Sequence, residues 1–275
     1  MKTRDLASFV LLTALYACNN NPKRTEKAID STNSALTETK TDTLGFTMDS
    51  IKIYSKVKDS KIKQQTDTAK AIIVYPVFKD PAVNKFLTDR VIGLAGKQDH
   101  YKTYQELTAG FIKEFDNFKK TAAQSEATWF EDLNLKVVAN YPNYLSVLYT
   151  NVDFKGGAHP NTLFTYFNYN PKTYQTITLD SLIRADGMPK LRAVAEKIFR
   201  KNEKLSATAS LSEGYFFANN VFTLAETFTV TKEGLKFLYN PYEIKAYAAG
   251  TTTLIIPFTE IKDILKPSSI LNNFK

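Results

Sequence analysis

The run Asp153-Phe154-Lys155-Gly156-Gly157-Ala158-His159-Pro160-Asn161 holds one of only two histidines in a chain of 275 residues. An imidazole can accept and return protons near neutral pH, ligate a metal, or simply hydrogen-bond a loop in place. Gly156 and Gly157 allow positive φ or a close backbone approach, and Pro160 stiffens the exit. His159 therefore has three uses: pinning its loop to a sheet, touching a ligand, or catalysis. Catalysis needs companions. Asp153 and Glu243 are the carboxylates that could supply them, in a hydrolase or deacetylase, but nothing in their spacing requires such a set. His100, the other histidine, stands just before Tyr101 in a helical segment. The chain has no G-x-S-x-G elbow, H-E-x-x-H pair, P-loop or dinucleotide fingerprint. With 28 carboxylates, acidic pairs are unavoidable and say little about glycoside chemistry. The structural role for His159 leads, ligand contact follows, and no catalytic residue, metal or cofactor is assigned.

Cys18 is the single cysteine, and its position is informative. Lys2 and Arg4 precede an apolar run of twelve residues, Leu6 to Ala17, too short to cross a bilayer core, which needs about 20 residues. The layout is that of a secretory signal over residues 1–17. Leu15-Tyr16-Ala17-Cys18 resembles the bacterial lipobox, so Cys18 is expected to carry a lipid. No thiol then remains for a disulfide, a metal site or a nucleophile. Residues 18–47 are rich in Asn, Ser, Thr, Lys and Glu without an apolar period and read as a disordered tether with a reach of roughly 30 Å.

The full chain carries a net charge of +8; removing residues 1–17 takes away two basic side chains and one acidic, leaving +7. The excess is spread along the chain and forms no basic block, which argues against nucleic acid as a partner.

After the tether, apolar periodicity predicts strands near 51–59 and 71–78, a helix from Pro81, and a second helix carrying the stripe Tyr101, Tyr104, Thr108, Phe111, Phe115 and Phe118. Strands follow at 129–139, 144–153 and 162–170, the first two joined by a tight turn at Tyr141-Pro142-Asn143-Tyr144. A short strand at 175–180 precedes a helix opened by Pro189. Strands at 221–230, 234–239 and 251–256 and a short closing helix complete the chain. Strands in groups, with helices between the groups, predict an α+β fold of two packed subdomains, mainly antiparallel sheet with helices on one face. The divisions are an N-terminal domain over 48–125 and a C-terminal domain over 126–275.

Two stretches carry a resemblance. Gly156 to Asn170, "GGAHPNTLFTYFNYN", and Phe237 to Ile261, "FLYNPYEIKAYAAGTTTLIIPFTEI", resemble the signature segments of the RsiV-like extracytoplasmic domain family. That family occurs on anti-sigma factors that sense lysozyme and beside the catalytic domain of PdaC-type peptidoglycan deacetylases. It pairs a smaller N-terminal domain, which residues 47–123 resemble, with this C-terminal one. Ala246 stands where the family has Pro. The resemblance implies a sensor or accessory module, which Cys18 would place on a lipid anchor.

The expected protein is a membrane-anchored, periplasm-facing binding module without catalysis of its own. Its ligand is a cell-wall glycan or a glycan-active protein such as lysozyme. The candidate binding loop is Gly156, Gly157, His159 and Pro160, and the candidate contact aromatics are Tyr166, Tyr169, Tyr242 and Tyr247, with Tyr174 and Tyr239 beside them. Tyr offers a flat apolar face with a polar tip, suited to sugars and to protein surfaces. The anchor is tested by metabolic labelling with a fatty-acid analogue: wild-type chain takes up label and Cys18→Ser does not. Equal labelling of the two would refute lipidation at Cys18.

Overall fold

In the computed structural model the described residues are 43–57, 68–97, 100–123, 125, 128–267 and 270–274. Cys18, the expected signal segment and residues 19–42 of the expected tether lie outside them. β1 (Phe46–Tyr54) pairs antiparallel with β2 (Lys70–Phe78), so Phe46 and Thr47, assigned to the tether, are already strand. The Phe46 ring lies 5.1 Å from that of its partner Phe78.

α1 (Pro81–Leu94) starts where the Asp80 side chain accepts from the N–H of Ala82, with Pro81 in the first turn. α2 (Tyr104–Thr121) opens with a capping box: Thr103 accepts from the Glu106 N–H, and the Glu106 carboxylate accepts from the Thr103 N–H. Tyr101, placed on the helical stripe by its spacing, instead lies ahead of that cap. Its hydroxyl lies where a Cβ on Gly110 would be, so any larger residue at that point of the helix must displace the Tyr101 ring.

β3 (Phe130–Tyr141), β4 (Tyr144–Phe154), β5 (Asn161–Asn170) and β6 (Gln175–Thr176) extend the same sheet in chain order. Every pairing is antiparallel except β2 with β3, which run parallel across the α1–α2 crossover. The division expected at 125/126 therefore falls between two neighbouring strands of one sheet. All described residues belong to one compact unit, Thr41–Lys275.

Helices α1 and α2 cover one face of the large sheet. Val83, Leu87, Tyr104 and Leu107 pack there on Leu133, Leu135, Val147 and Phe167. The chain continues through α3 (Leu179–Leu182) and α4 (Met188–Asn202) to a small antiparallel sheet of β7 (Phe228–Val230), β8 (Gly234–Tyr239) and β9 (Thr252–Pro257), closed by α5 (Phe258–Ile261). The strand expected over 221–230 contracts to β7. Asn219 and Asn220 take positive φ just before it, and Phe222 and Ala225 reach the core from irregular backbone. α4 lays Leu191, Ala195 and Phe199 on Phe237, Leu254 and Ile256. The fold is α+β.

The small sheet meets the β4–β5 end of the large one through a buried polar network. Tyr144, fully buried, donates its hydroxyl proton to Asn168 Oδ1 at 2.9 Å and accepts from the Val230 N–H at 2.8 Å. The Thr229 hydroxyl lies 3.0 Å from Tyr144 Oη and 2.8 Å from Ser146 Oγ, and Asn168 Nδ2 donates to the Phe228 carbonyl at 2.7 Å. Each buried group has a partner, so the network is stabilising only while it is complete. Tyr144→Phe keeps the ring but strands Val230 N–H and Asn168 Oδ1, while Thr229 keeps Ser146. It is expected to cost about 2–4 kcal/mol in urea unfolding, above the 0.5–1.5 kcal/mol of an ordinary hydrogen bond. A loss under ~0.5 kcal/mol would show that the network does not tie the sheets together.

Candidate functional site

Lys155 to Pro160 connect β4 and β5, which pair from Leu145↔Tyr169 to Asp153↔Asn161. Gly156 and Gly157 have φ of +99° and +114°. A Cβ on Gly157 would meet nothing within 4 Å, so glycine is required there by backbone conformation and not by space. The loop carries His159 towards a turn 80 residues on. Asn240, Pro241, Tyr242 and Glu243 form a β-turn in which the Glu243 N–H donates to the Asn240 carbonyl at 3.0 Å. Pro at the second position and φ of +68° at Tyr242 fit a type II turn, whose third position normally prefers glycine.

Two clamps hold a bulky residue in that strained place. The Glu243 carboxylate accepts from the Asn240 N–H at 2.7 Å, and the Asn240 side-chain amide bonds both the N–H (2.7 Å) and the carbonyl (3.0 Å) of Phe164 on β5. The turn is thereby fixed to the strand that leaves the His159 loop.

Three rings meet at the surface as a result. His159 stacks on Tyr247 with centroids 3.9 Å apart and planes at 17°; Tyr242 lies 5.7 Å from His159 and 5.5 Å from Tyr247. His159 Nδ1 is 2.9 Å from the Pro160 carbonyl, which can only accept, so Nδ1 carries the proton in the neutral ring. Nε2 is then the acceptor for the Tyr242 hydroxyl at 3.1 Å. Tyr242 remains 55% exposed despite these contacts, while His159 and Tyr247 are half-buried.

The other sequence candidates lie elsewhere. Tyr166 and Tyr169 are buried: Tyr169 stacks on Phe86 of α1 at 4.2 Å, and Tyr166 belongs to the face covered by the small sheet. Tyr239 is buried with its hydroxyl on the Thr223 carbonyl, and Tyr174 is exposed in the turn after β5. Glu243 is spent on its turn, and desolvation raises its pKa, with the Asn240 hydrogen bonds opposing. Asp153 accepts from Asn151 and Asn161 Nδ2, each at 3.3 Å. Neither carboxylate bonds His159.

A polar cluster that sequence reasoning missed lies at the same end of the large sheet, on its helix-covered face. Glu131 of β3 pairs directly across from Asp153, and the next rows bring Asn151 and Tyr149 to the same side. Desolvation, then the Asp153 charge, push the Glu131 carboxyl up to about 7. Beside it Glu114 accepts from Lys155 at 2.8 Å and Lys97 at 2.9 Å. Desolvation resists ionisation of Glu114, but those two partners outweigh it and hold its pKa below the usual value. No group of three or more His, Cys, Asp or Glu suited to a metal occurs among the described residues. A groove of about 780 Å³, separate from both clusters, runs between β1–β2 and the two helices, past Tyr75 and Tyr104.

Comparison with known proteins follows the same geography. Residues 62–162 match the family "Deacetylase PdaC", and residues 180–259 match "Protein of unknown function (DUF3298)". The chain is 23% identical over 222 residues to the peptidoglycan-N-acetylmuramic acid deacetylase PdaC of Bacillus subtilis, covering 79% of this chain and 43% of that protein. It thus spans less than half of that relative. A DUF3298 family member from Bacteroides fragilis superposes with a TM-score of 0.63 at 20% identity, covering 85% of this chain and 98% of that one. One from Pseudomonas aeruginosa gives 0.63 at 16%, covering 82% and 96%. At these identities the structures establish the fold alone. With a PdaC-type segment leading into a DUF3298 segment on that fold, the chain fits a PdaC-like paired-domain family of unknown function.

Proposed function

We propose that this chain is an envelope-facing accessory module that binds cell-wall glycan through His159, Tyr242 and Tyr247, with no catalysis of its own and with a lipid on Cys18 as its anchor. The observation that carries the reading is the exposed three-ring cluster. It joins segments 83 residues apart and holds Tyr242 in a backbone conformation that costs energy. Such strain is maintained by two clamps whose combined effect is to present a flat aromatic surface to solvent. Sugar rings stack their C–H faces on such surfaces, while the hydroxyl and imidazole edges supply hydrogen bonds. PdaC supports the choice of ligand class, since its name specifies action on peptidoglycan. Both His159 ring nitrogens are occupied within the cluster, which favours a contact role over proton transfer with Asp153 or Glu243.

Glycan is favoured over lysozyme on electrostatic grounds. Animal-type lysozymes are basic, and the chain without residues 1–17, of net charge +7, repels them unless the contact face is locally acidic.

The test is co-sedimentation of the purified chain with peptidoglycan sacculi, with thermal melts run in parallel. Tyr242→Ala and Tyr247→Ala are expected to weaken binding about tenfold each, a loss of ~1.4 kcal/mol, with melting little changed. His159→Ala removes the stacked ring and the Tyr242 bond together and is expected to weaken binding at least as much. Gly157→Val forces a β-branched side chain into positive φ and is expected to lower stability by about 1–2 kcal/mol through backbone strain alone. Wild-type chain that ignores sacculi, or ring variants that bind them undiminished, would refute the glycan site.

A further inference from the structure

A second groove begins at the foot of the three rings. It has a volume of about 580 Å³ and is lined by Asn240 and Glu243, which flank Tyr242 in its turn, and by Leu163 and Phe164, which follow the His159 loop. Clefts of about 300–1,000 Å³ are the usual size for small ligands. The groove runs along the edge of β5, where β6 pairs only with Tyr169 and Asn170. α1 supplies one wall, with Arg90 and the exposed Leu94; Glu226 and Glu243 stand on the other, beside the small sheet.

The two walls carry opposite charge. The Arg90 guanidinium lies over the buried Phe167 ring, 5.5 Å from its centroid, and makes no hydrogen bond or ion pair among the described residues. A guanidinium resting on a ring still presents N–H donors at its edge, in a fork that matches a carboxylate. On the facing wall Glu226 is exposed and likewise makes no hydrogen bond or ion pair among the described residues. Desolvation and, behind it, the Glu226 charge raise the pKa of Glu243, so two mutually repelling carboxylates share that wall.

Charge selects the occupant. A polyanion is attracted by one arginine and repelled by two glutamates, while a polycation meets Arg90. A ligand with one charge of each sign suits both walls. We propose that this groove is a peptide subsite continuous with the three rings: it takes the short zwitterionic peptide that branches from wall glycan, with a carboxylate on the Arg90 fork and an ammonium on Glu226. Glu243 plays the lesser part, since its carboxylate already accepts from the Asn240 N–H. The choice of a wall peptide rests on the glycan reading of His159, Tyr242 and Tyr247; the opposed charges of the groove do not.

The probe is N-acetylated alanyl-isoglutaminyl-lysyl-alanine, which has one ammonium and one carboxylate. It is titrated into the purified chain free, and also joined through the lactyl group to the N-acetylglucosamine–N-acetylmuramic acid disaccharide. The same disaccharide as its neutral lactyl amide is the sugar control. Calorimetry is expected to show the joined probe binding about tenfold or more tighter than the sugar control. Arg90→Ala and amidation of the terminal carboxylate should each remove about tenfold, and the two together no more than either alone. Glu226→Gln and acetylation of the lysyl amine should behave as a second such pair. Arg90→Lys, a point charge without the fork, should recover only part of the loss. Free peptide should shift the amide resonances of Leu163 to Asn168 in wild type and not in Arg90→Ala. Thermal melts of the variants should match wild type, since both side chains are exposed. A joined probe that binds no tighter than the sugar control overturns the subsite, as do losses from Arg90→Ala and amidation that add in full. A sugar control that fails to bind while free peptide still depends on Arg90 strikes the three-ring reading and leaves the groove standing.

Discussion

The Tyr144 hydroxyl is the point on which the two sheets depend. Hydrophobic burial would hold the small sheet against the large one in many registers, since apolar contact is not directional. A phenol that must give one proton to Asn168 and receive one from Val230 N–H permits far fewer. Ser146, Thr229 and Asn168 extend the constraint across β4, β5 and β7, all of them buried. Misplacing the small sheet by one residue would leave several buried polar groups unpaired, a penalty comparable to the net stability of many domains.

With the sheets so fixed, the surface cluster becomes a matter of local chemistry. Asn240 acts on the edge of β5 as a short strand would, bonding both polar groups of Phe164. It hands that register on to the turn it begins, and so to Tyr242. The three rings are therefore positioned by backbone clamps, while their outer faces stay uncommitted. A preorganised aromatic surface loses little side-chain entropy when it engages a partner.

Much of this was legible in the sequence. The Pro142-Asn143 turn and the placement of Gly156 to Pro160 between two paired strands follow from turn chemistry and periodicity, whereas periodicity carries Tyr101 into α2 and does not mark the cap at Thr103. Tyr242 and Tyr247 are singled out by their place in the segment Phe237 to Ile261, which resembles the family signature. Tyr166 and Tyr169 misled because β5 is covered on both faces, by α1 on one and by the small sheet on the other, and alternation carries no signal when both sides are inside. The Glu131–Asp153 pairing was hidden by the irregularity between Val137 and Ala139. Counting back from Tyr141↔Tyr144 without it puts Asp132 opposite Asp153, and one residue of slip moves every side chain to the other face.

The parallel contact between β2 and β3 bears on how such a protein can be inherited. Because β1 and β2 complete a sheet whose other strands come after residue 128, a gene fragment beginning there would encode β3 as an edge strand, with Phe130 to Asn134 stripped of their β2 partners. An edge of that length invites pairing with other chains and so aggregation. Recombination that separates the two halves would expose that edge, and the stretch from β1 to the last helical turn forms one compact unit, although two family segments can be distinguished along it.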